Sequence, residues 1–367
     1  MYTEIIKIIE GGMKNDQKKI VGYSKLLVDK LRKEGQEQLA KRIESIISVS
    51  KPVKDKMVSL NELASTPVDQ ESRLSIVDVT HPDQNDTRLI LSSQIKHSIQ
   101  NFIDGLKYRD QFHKVGIQSN HSLLLYGPPG SGKSSIAKYI SCETNLPLVT
   151  ARLDTIVSSL LGNTAKNIRR IFEFADQKPC ILFLDEFDAI AKARDDHYEM
   201  GELKRVINSL LQNIDLFTKN NILIAATNHN ELLDKAIWRR FNTVVEVGFL
   251  KNEGEIKDLI RLYLNGFKTN FLDDKKKSDA LINEFRKHSP SDIKTICHNS
   301  IANQIIKGSE SLNMESLLEC IYSFDNHNNY ENDGLIKFLS DNYVTQTEIS
   351  EFLDISLRQV KNVLSNK

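Results

Sequence analysis

Residues 123–134 read Leu-Leu-Leu-Tyr-Gly-Pro-Pro-Gly-Ser-Gly-Lys-Ser, an apolar run that leads directly into a glycine-rich turn. The pattern G-x-x-x-x-G-K-S extends from Gly127 to Ser134, and residues 136–140 after it have helical spacing. A glycine turn lets successive backbone N–H groups converge on phosphate oxygens, and the positive end of the next helix adds to the field. The segment therefore predicts a strand, a phosphate-binding loop and a helix that together bind a nucleoside triphosphate.

The polar side chains at the end of this loop have separate expected roles. Lys133 can reach the β- and γ-phosphates, and the hydroxyl of Ser134 can ligate Mg²⁺. A glycine-rich turn without a ligand is the alternative, but it does not account for the strand and helix on either side. The loop residues that we expect to contact the nucleotide are Gly127, Pro128, Pro129, Gly130, Ser131, Gly132, Lys133, Ser134 and Ser135.

A second apolar run, closed by two acids, lies downstream. Residues 180–186 read Cys-Ile-Leu-Phe-Leu-Asp-Glu, a pattern typical of a buried parallel strand that ends at the ligand-binding edge of a sheet. We expect Asp185 to bind the nucleotide-associated Mg²⁺ through its water shell, and Glu186 to orient and polarise the attacking water. Acidic pairs also end strands in ordinary solvated turns, so this interpretation depends on the phosphate loop upstream.

A third strand pattern ends in a polar pair. Residues 221–228 read Asn-Ile-Leu-Ile-Ala-Ala-Thr-Asn, and residues 232–241 read Leu-Leu-Asp-Lys-Ala-Ile-Trp-Arg-Arg-Phe. With these segments the sequence closely resembles the AAA+ ATPases, in the clade that carries the second region of homology, over residues 89–325. By that resemblance Asn228 matches the sensor-1 asparagine, which helps to hold the nucleophilic water.

The same resemblance matches Arg239 and Arg240 to arginine fingers that reach into the site of a neighbouring subunit. A planar guanidinium suits this role because it donates to phosphoryl oxygens in bidentate fashion; two solvated surface arginines are the alternative. The family usually separates the two arginines by a short Pro/Gly insertion, whereas here they are adjacent. The principal finger is therefore open. The resemblance implies ATP and Mg²⁺ as cofactors, ATP hydrolysis, and a homo-oligomeric ring, usually a hexamer.

Composition gives no support to several classes of partner. The 367 residues contain 49 lysines and arginines and 49 aspartates and glutamates, so no net charge favours nucleic acid or an anionic membrane. No apolar run approaches the ~20 residues that span a bilayer, and the N-terminus lacks a signal-peptide pattern. Four cysteines without a C-x-x-C motif indicate buried thiols in a reducing compartment. We expect a cytoplasmic protein with no membrane partner.

Strand patterns alternate with helical patterns through the middle of the chain, near residues 123–126, 148–151, 181–184, 222–226 and 244–247. This alternation predicts an α/β fold: a parallel five-stranded P-loop NTPase sheet flanked by helices, with an α-helical lid and small α-helical terminal modules. The run 74–79 is a candidate extra strand. The predicted organisation is an N-terminal helical docking or assembly module (1–50), a linker (51–88), the AAA+ core (89–250), the lid (251–332) and a helix-turn-helix-like unit (333–367).

Two segments are informative because they depart from the family pattern. Residues 289–293 read Ser-Pro-Ser-Asp-Ile where relatives have Ser-Gly-Ala-Asp-Ile. We expect Ser291 to cap a lid helix beside the nucleotide, and no sensor-2 arginine is present.

The second segment, residues 154–163, aligns with the central-pore loop, where Leu160 takes the aromatic position. Leucine offers less apolar area, which weakens a polypeptide-threading function; a helix-capping turn is the alternative. Tyr198 is the aromatic of a second candidate pore segment.

The C-terminal pattern over residues 345–364 predicts helix, tight turn and helix, with Asp354 in the turn and a small apolar core of its own. Nearby acids offset Arg358 and Lys361, whereas binding to a DNA backbone favours net positive charge. The favoured function is therefore an ATP-hydrolysing ring that remodels or regulates a partner or substrate protein, for example an associated effector such as a protease. The alternative is a DNA-associated ATPase recruited through this C-terminal unit.

Overall fold

The computed structural model describes scattered residues between 24 and 40, residue 67, and then most of the chain. The described ranges are 75–83, 88–116, 120–154, 161–189, 200–218, 221–269, 271–327, 329 and 331–365. The chain divides into two compact units, Met1–Thr66 and Pro67–Lys367. Most of the predicted docking module and linker lies outside the described residues.

In the first unit, the described residues from 24 to 32 and from 37 to 40 are helical, and Gln36 between them is not. Leu27, Val28, Leu31 and Ala40 form a buried apolar cluster. Leu39 is 52% exposed, and the neighbouring Ala40 is buried instead.

The second unit is built on a six-stranded sheet. Its strands are β1 (Asp78–Thr80), β2 (Ser122–Tyr126), β3 (Leu148–Arg152), β4 (Ile181–Asp185), β5 (Ile222–Thr227) and β6 (Thr243–Glu246). The spatial order is β1-β3-β4-β5-β2-β6. Strands β2 to β6 pair in parallel, which confirms the predicted α/β class. The sixth strand, β1, adds an antiparallel edge beside β3.

Helices cover both faces of this sheet. Those described before residue 250 are α1 (Ser93–Lys107), α2 (Arg109–Lys114), α3 (Lys133–Thr144), α4 (Leu161–Asp176), α5 (Met200–Phe217) and α6 (Lys235–Trp238). Successive side chains of β2 point to opposite faces: Leu123 and Leu125 join one buried cluster with α1 and α3, and Leu124 joins the cluster of α4 and α5. Burial on both faces explains why the strands read as continuous apolar runs.

The remainder of the unit is mainly helical. Its helices are α7 (Glu253–Tyr263), α8 (Lys275–Phe285), α9 (Pro290–Ile306), α10 (Met314–Asp325), α11 (Asn332–Asp341), α12 (Gln346–Leu353) and α13 (Leu357–Ser365). Short strands β7 (Lys268–Thr269) and β8 (Ser311–Leu312) pair in parallel beside them. One apolar cluster contains Leu281 and Leu317 of the lid helices together with Ile349 and Val360 of the last two helices. The expected separate core for the C-terminal helices is therefore wrong.

The predicted succession of helix, tight turn and helix is present at the end of the chain. Thr345 and Glu348 form a capping box at the start of α12, a reciprocal pair of hydrogen bonds that satisfies two free backbone N–H groups. Asp354 ends the helix with φ +52° and ψ +46°, the left-handed conformation predicted for the turn. Local capping residues thus define both ends of α12.

Candidate active site

The parallel strands bring the ends of β2, β4 and β5 to one edge of the sheet, where ligands of open α/β sheets bind. Tyr126 of β2 pairs with Thr227 of β5, and β4 pairs with the other side of β5. The loop after β2 starts tightly against its neighbours: the N–H of Gly127 donates to the Thr227 carbonyl at 3.3 Å. A Cβ on Gly127 would collide with the carbonyl of Val247, so glycine is required there.

Lys133 is the first residue of α3 and is only 8% exposed. Its Nζ donates to the carbonyl of Gly127 at 2.7 Å and to that of Pro128 at 2.9 Å. Burial lowers the pKa of Lys133, and the negative charges of Asp185, Glu186 and Asp188 oppose that shift without reversing it. The ammonium group is thus bound to two carbonyls of the loop, in the electrostatic field of the three carboxylates.

The two acids at the end of β4 have different geometries. Asp185 accepts a hydrogen bond from the hydroxyl of Ser134 at 3.2 Å through Oδ2 and from the N–H of Glu186 at 3.0 Å through Oδ1. Glu186 has φ +51°, a left-handed backbone that non-glycine residues seldom adopt and that is concentrated at functional sites. The N–H of Phe187 donates to the Ala226 carbonyl at 2.9 Å, which ties this turn to β5.

Asn228, directly after β5, contacts the second of these acids. Its Nδ2 lies 3.3 Å from both carboxylate oxygens of Glu186. Asp188 holds the backbone of Asn228 and is only 1% exposed. Its Oδ1 accepts from the Thr227 hydroxyl at 2.9 Å and from the Asn228 N–H at 3.2 Å. The sequence prediction missed Asp188, although a further acid so close to Asp185 was the available signal.

A cleft of about 400 Å³ opens beside these groups. It brings together the predicted residues Pro129 to Ser135, Asp185, Glu186 and Asn228. Side chains that the sequence interpretation did not foresee also line it, and they come from the segment before α1, from the end of β6, and from α7 and α9. They include Arg88, Leu89, Leu91, Val247, Leu250, Leu262, Tyr263 and Lys294. Distant positions in the chain supply them, so no local motif marks them.

The lid contacts the phosphate loop through the start of α9. The prediction that Ser291 caps this helix is wrong: Ser289 is the N-cap, Pro290 occupies the first turn, and Ser289 forms a capping box with Asp292. The N–H of Ser291 instead donates to the carbonyl of Gly130 at 3.2 Å. The lid and the loop are therefore in direct main-chain contact.

Comparison with known proteins agrees with this geometry. Residues 123–249 match the family model "ATPase family associated with various cellular activities (AAA)". The chain carries an AAA+ ATPase domain. It is 42% identical over 175 residues, 48% of the chain, to the uncharacterized AAA family ATPase y4kL of Sinorhizobium fredii. It is also 35% identical over 231 residues, 61% of the chain, to a proteasome-activating nucleotidase of Sulfurisphaera tokodaii.

A proteasome-activating nucleotidase of Methanococcus maripaludis is 32% identical over 223 residues, 59% of the chain. The chain spans 53%, 58% and 54% of the lengths of these three relatives, respectively. The chain therefore spans little more than half the length of each of these relatives.

The two candidate arginine fingers of the AAA+ domain lie in different environments. Arg239 follows α6 and is exposed, and its side chain makes no hydrogen bond or ion pair with the part of the chain that the structure describes. Arg240 is held within the domain: Nε lies 3.1 Å from Asp215, and Nη1 donates to the Ala236 carbonyl at 2.5 Å. Neither arginine lines the cleft of its own chain.

The arginine segment also contacts β2, the strand that leads into the phosphate loop. Trp238 packs edge-on against Tyr126, with ring centroids 5.3 Å apart. At the other end of the strand the hydroxyl of Ser122 donates to the Arg240 carbonyl at 2.9 Å and accepts from the Asn242 N–H at 3.0 Å. These contacts position the arginines relative to the AAA+ sheet.

The remaining predictions concern the pore residues, the cysteines, metal binding and membrane spans. The candidate pore residues Leu160 and Tyr198 lie outside the described residues. All four cysteines are free, and burial raises the pKa of the Cys180 and Cys297 thiols to about 12. The described ranges contain no group of three or more His, Cys, Asp or Glu side chains suited to a metal ion. None of the helices in those ranges is long and apolar enough to cross a membrane.

Proposed function

We propose that the AAA+ domain hydrolyses ATP in the cleft between the phosphate loop and the lid. The observation that carries this proposal is the contact of Asn228 with both carboxylate oxygens of Glu186, next to the pair formed by Ser134 and Asp185. Polar groups from three separate segments converge on one edge of the sheet, where each would face the terminal phosphate of a nucleotide bound by the loop.

The residues at this edge fit a magnesium ion. The hydroxyl of Ser134 and the carboxylate of Asp185 lie 3.2 Å apart, and hard oxygen donors are the ligands that Mg²⁺ prefers. These two residues would hold the ion, directly or through water, and the ion would neutralise charge on the phosphate oxygens. Lys133 and the loop N–H groups would hold the phosphates themselves.

In this proposal Glu186 and Asn228 act on the attacking water. The carboxylate accepts a hydrogen bond from the water and polarises it, while the carboxamide fixes the carboxylate and the water in line with the terminal phosphate. Asp188 contributes by holding Asn228 in place. Positioning and electrostatics are the main contributions that a protein makes to phosphoryl transfer.

Replacing Glu186 by Gln tests this proposal, because the change preserves volume but removes the charge. We expect ATP hydrolysis to slow by a factor of about 10²–10³ while the affinity for ATP stays close to wild type, as measured by phosphate release and by nucleotide titration. Glu143→Gln, on the exposed side of α3, is the matched control and should hydrolyse ATP normally. Wild-type turnover in Glu186→Gln would refute the assignment.

We further propose that Arg239 acts as the finger in trans and that Arg240 positions the segment through Asp215. An exposed guanidinium without a described partner can enter a neighbouring site, whereas one already bound to a carboxylate cannot do so without losing that ion pair. This arrangement requires a homo-oligomeric ring, of which a hexamer is the expected form.

Mixing two inactive proteins tests the trans arrangement. Arg239→Ala protein keeps its Glu186, and Glu186→Gln protein keeps its Arg239, so a mixed ring contains some complete sites. Partial recovery of phosphate release on mixing is the expected result. Arg169→Ala, which removes an exposed arginine paired with Glu173 on α4, should be active alone. Full activity of Arg239→Ala alone would rule out the finger role.

We propose that the ring remodels or regulates a partner protein. The names of the proteasome-activating nucleotidases support a polypeptide-directed role, although the chain matches little more than half of each. Stimulation of phosphate release by a permanently unfolded protein such as casein is the expected result. No stimulation by casein, together with stimulation by duplex DNA, would favour the DNA-associated alternative.

One observation supports the DNA-associated alternative: Arg358 and Lys361 are exposed on α13, the helix that follows α12 and the turn at Asp354. Against it, Gln359 is engaged as a cap, since its Oε1 accepts from the N–H and the hydroxyl of Ser356 at 2.9 Å. Nearby exposed acids also reduce the positive charge. Tight duplex binding that weakens steeply with salt, and that Arg358→Ala/Lys361→Ala reduces, would establish the alternative.

A further inference from the structure

The contact between the lid and the phosphate loop depends on the turn between α8 and α9. Ser291 donates its N–H to the Gly130 carbonyl at 3.2 Å, and a Cβ on Gly130 would lie 2.5 Å from the hydroxyl of Ser289. Ser289 is 4% exposed, and its hydroxyl donates to Asp292 at 2.7 Å. The first turn of α9 therefore packs directly against the middle of the phosphate loop.

His288 immediately precedes Ser289, the N-cap of α9, and its side chain is only 6% exposed. Nε2 lies 2.7 Å from Oδ1 of Asp325, the last residue of α10, and Nδ1 lies 3.1 Å from the carbonyl of Glu284 on α8. The rings of Phe285 and Phe324 pack edge-on against the imidazole, at centroid distances of 6.2 and 5.9 Å. His288 thus joins three lid helices at the point where the lid meets the phosphate loop.

Both partners of the imidazole are acceptors. A carboxylate and a backbone carbonyl can only accept, so each of these contacts requires an N–H of the ring. The charged groups nearest to it in the chain are engaged elsewhere: Glu284 of α8 pairs with Lys287 in the following turn at 2.7 Å, Arg286 pairs with Glu253 at 2.9 Å, and Asp292 on α9 is bonded to Ser289. Asp325 is the carboxylate in direct contact with the imidazole.

We propose that His288 is a positioning residue for nucleotide binding. Its imidazole ring connects the end of α10 to the start of α9, and this connection holds Ser289 and Ser291 against Gly130 of the phosphate loop. Loss of either hydrogen bond loosens the lid side of the cleft and lowers the affinity for the triphosphate. The inference rests on the proposed nucleotide site, but it concerns binding and not hydrolysis.

The principal test compares His288→Phe with Phe324→Leu. His288→Phe keeps an aromatic ring and removes both hydrogen bonds, whereas Phe324→Leu removes a ring contact and keeps them. Affinity is measured by fluorescence titration with a methylanthraniloyl ATP analogue, and melting temperature is measured in parallel. We expect His288→Phe to weaken binding by about tenfold, the factor that one charge-assisted hydrogen bond corresponds to. Phe324→Leu should lower the melting temperature while keeping its affinity within about twofold of wild type.

Asp325→Asn is the second readout, because it changes the partner of Nε2 and leaves the imidazole in place. Asparagine keeps an acceptor but removes the charge, so this variant should bind the analogue more weakly than wild type. It decides the question if His288→Phe does not fold. His298 is a separate imidazole, because its ring packs edge-on against Tyr263 and not against this cluster.

Three results would overturn the inference: unchanged affinity in His288→Phe, equal loss of affinity in Phe324→Leu, or a wild-type affinity in Asp325→Asn. The outcome is separate from that of the hydrolysis proposal, because the titration needs no turnover. Failure of Glu186→Gln to slow hydrolysis leaves this test intact, and the reverse also holds.

Discussion

Polar side chains are used differently at the edge of the sheet and in the last two helices. At the sheet edge they bond across long stretches of chain: Ser134 to Asp185, 51 residues apart, and Asn228 to Glu186, 42 residues apart. In α12 and α13 most of them bond to residues three to five positions away, as Glu348 does with Thr345 and Ser350 with Ile355. The exception is the Glu348 carboxylate, which also accepts from Lys277 of α8 at 3.1 Å. Short-range polar contacts satisfy helix ends. Convergence of distant polar groups at one partly buried edge has no such local explanation and marks the site.

The largest effect that separates the two regions should come from Lys133→Ala. The ammonium group supplies the positive charge beside the loop, and alanine leaves the phosphates without it. We expect the affinity for ATP to fall by at least about 100-fold, as measured by nucleotide titration. Lys138→Ala, on the exposed face of the same helix, should bind normally. Equal binding by the two variants would contradict the phosphate-loop assignment.

The apolar contribution of the C-terminal helices can be measured with two isoleucines. Ile349 of α12 is fully buried in the cluster shared with the lid, whereas Ile306 at the end of α9 is 83% exposed. We expect Ile349→Ala to lower the free energy of unfolding by about 2–5 kcal/mol and Ile306→Ala to change it by less than about 0.5 kcal/mol. Urea unfolding measures both. A small effect of Ile349→Ala would indicate that the C-terminal helices are only loosely attached to the lid.

Two glycines of the phosphate loop sharpen the comparison at the point where lid and loop meet. Gly130 and Gly132 both have positive φ, +75° and +103°, but only a Cβ on Gly130 would meet other atoms, those of Ser289 and Ser291. Both alanine variants should lose stability through backbone strain. Gly130→Ala should lose about 1–3 kcal/mol more because it also overpacks the contact. If Gly130→Ala and Gly132→Ala have equal free energies of unfolding in the absence of nucleotide, the lid can move to accommodate the added methyl group without a cost in stability.

The smallest effect should come from a local contact. Thr345→Ala removes the N-cap of α12, whose hydroxyl accepts from the Glu348 N–H at 3.3 Å. We expect a loss of about 0.5–2 kcal/mol in the free energy of unfolding and no change in nucleotide affinity. Thr295→Ala, which removes an exposed hydroxyl bonded only within α9, should have little effect. A change in ATP affinity in Thr345→Ala would reveal coupling from α12 to the cleft.

Much of the fold followed from periodicity, because buried parallel strands and amphipathic helices leave patterns within a few residues. The five parallel strands and the turn at Asp354 were predicted in this way. The cap of α9 was assigned to the wrong serine, since Ser289 and Ser291 both precede a helical pattern. Pro290 decides between them: its fixed φ and missing N–H suit the first helical position, which makes Ser289 the cap.

The phosphate-loop pattern located Lys133, and the two acids that close an apolar run located Glu186. The resemblance to the AAA+ family located Asn228, but it left Arg239 and Arg240 equivalent. Their difference depends on Asp215, which only the folded chain brings within 3.1 Å of Arg240. Local order in the chain is enough to specify a loop or a cap, but not the partner of a long side chain.

By itself, the sequence determined the α/β class, the pattern of the phosphate loop and the two acids at the end of β4. Each of these features is a pattern of residues that are neighbours in the chain. Only the tertiary structure decided that Asp188 supports Asn228, that the C-terminal helices share the lid core, and that His288 lies behind the contact between lid and loop. These features depend on contacts between residues far apart in the chain. Such contacts follow from the packing of whole helices and strands, and no short segment encodes them.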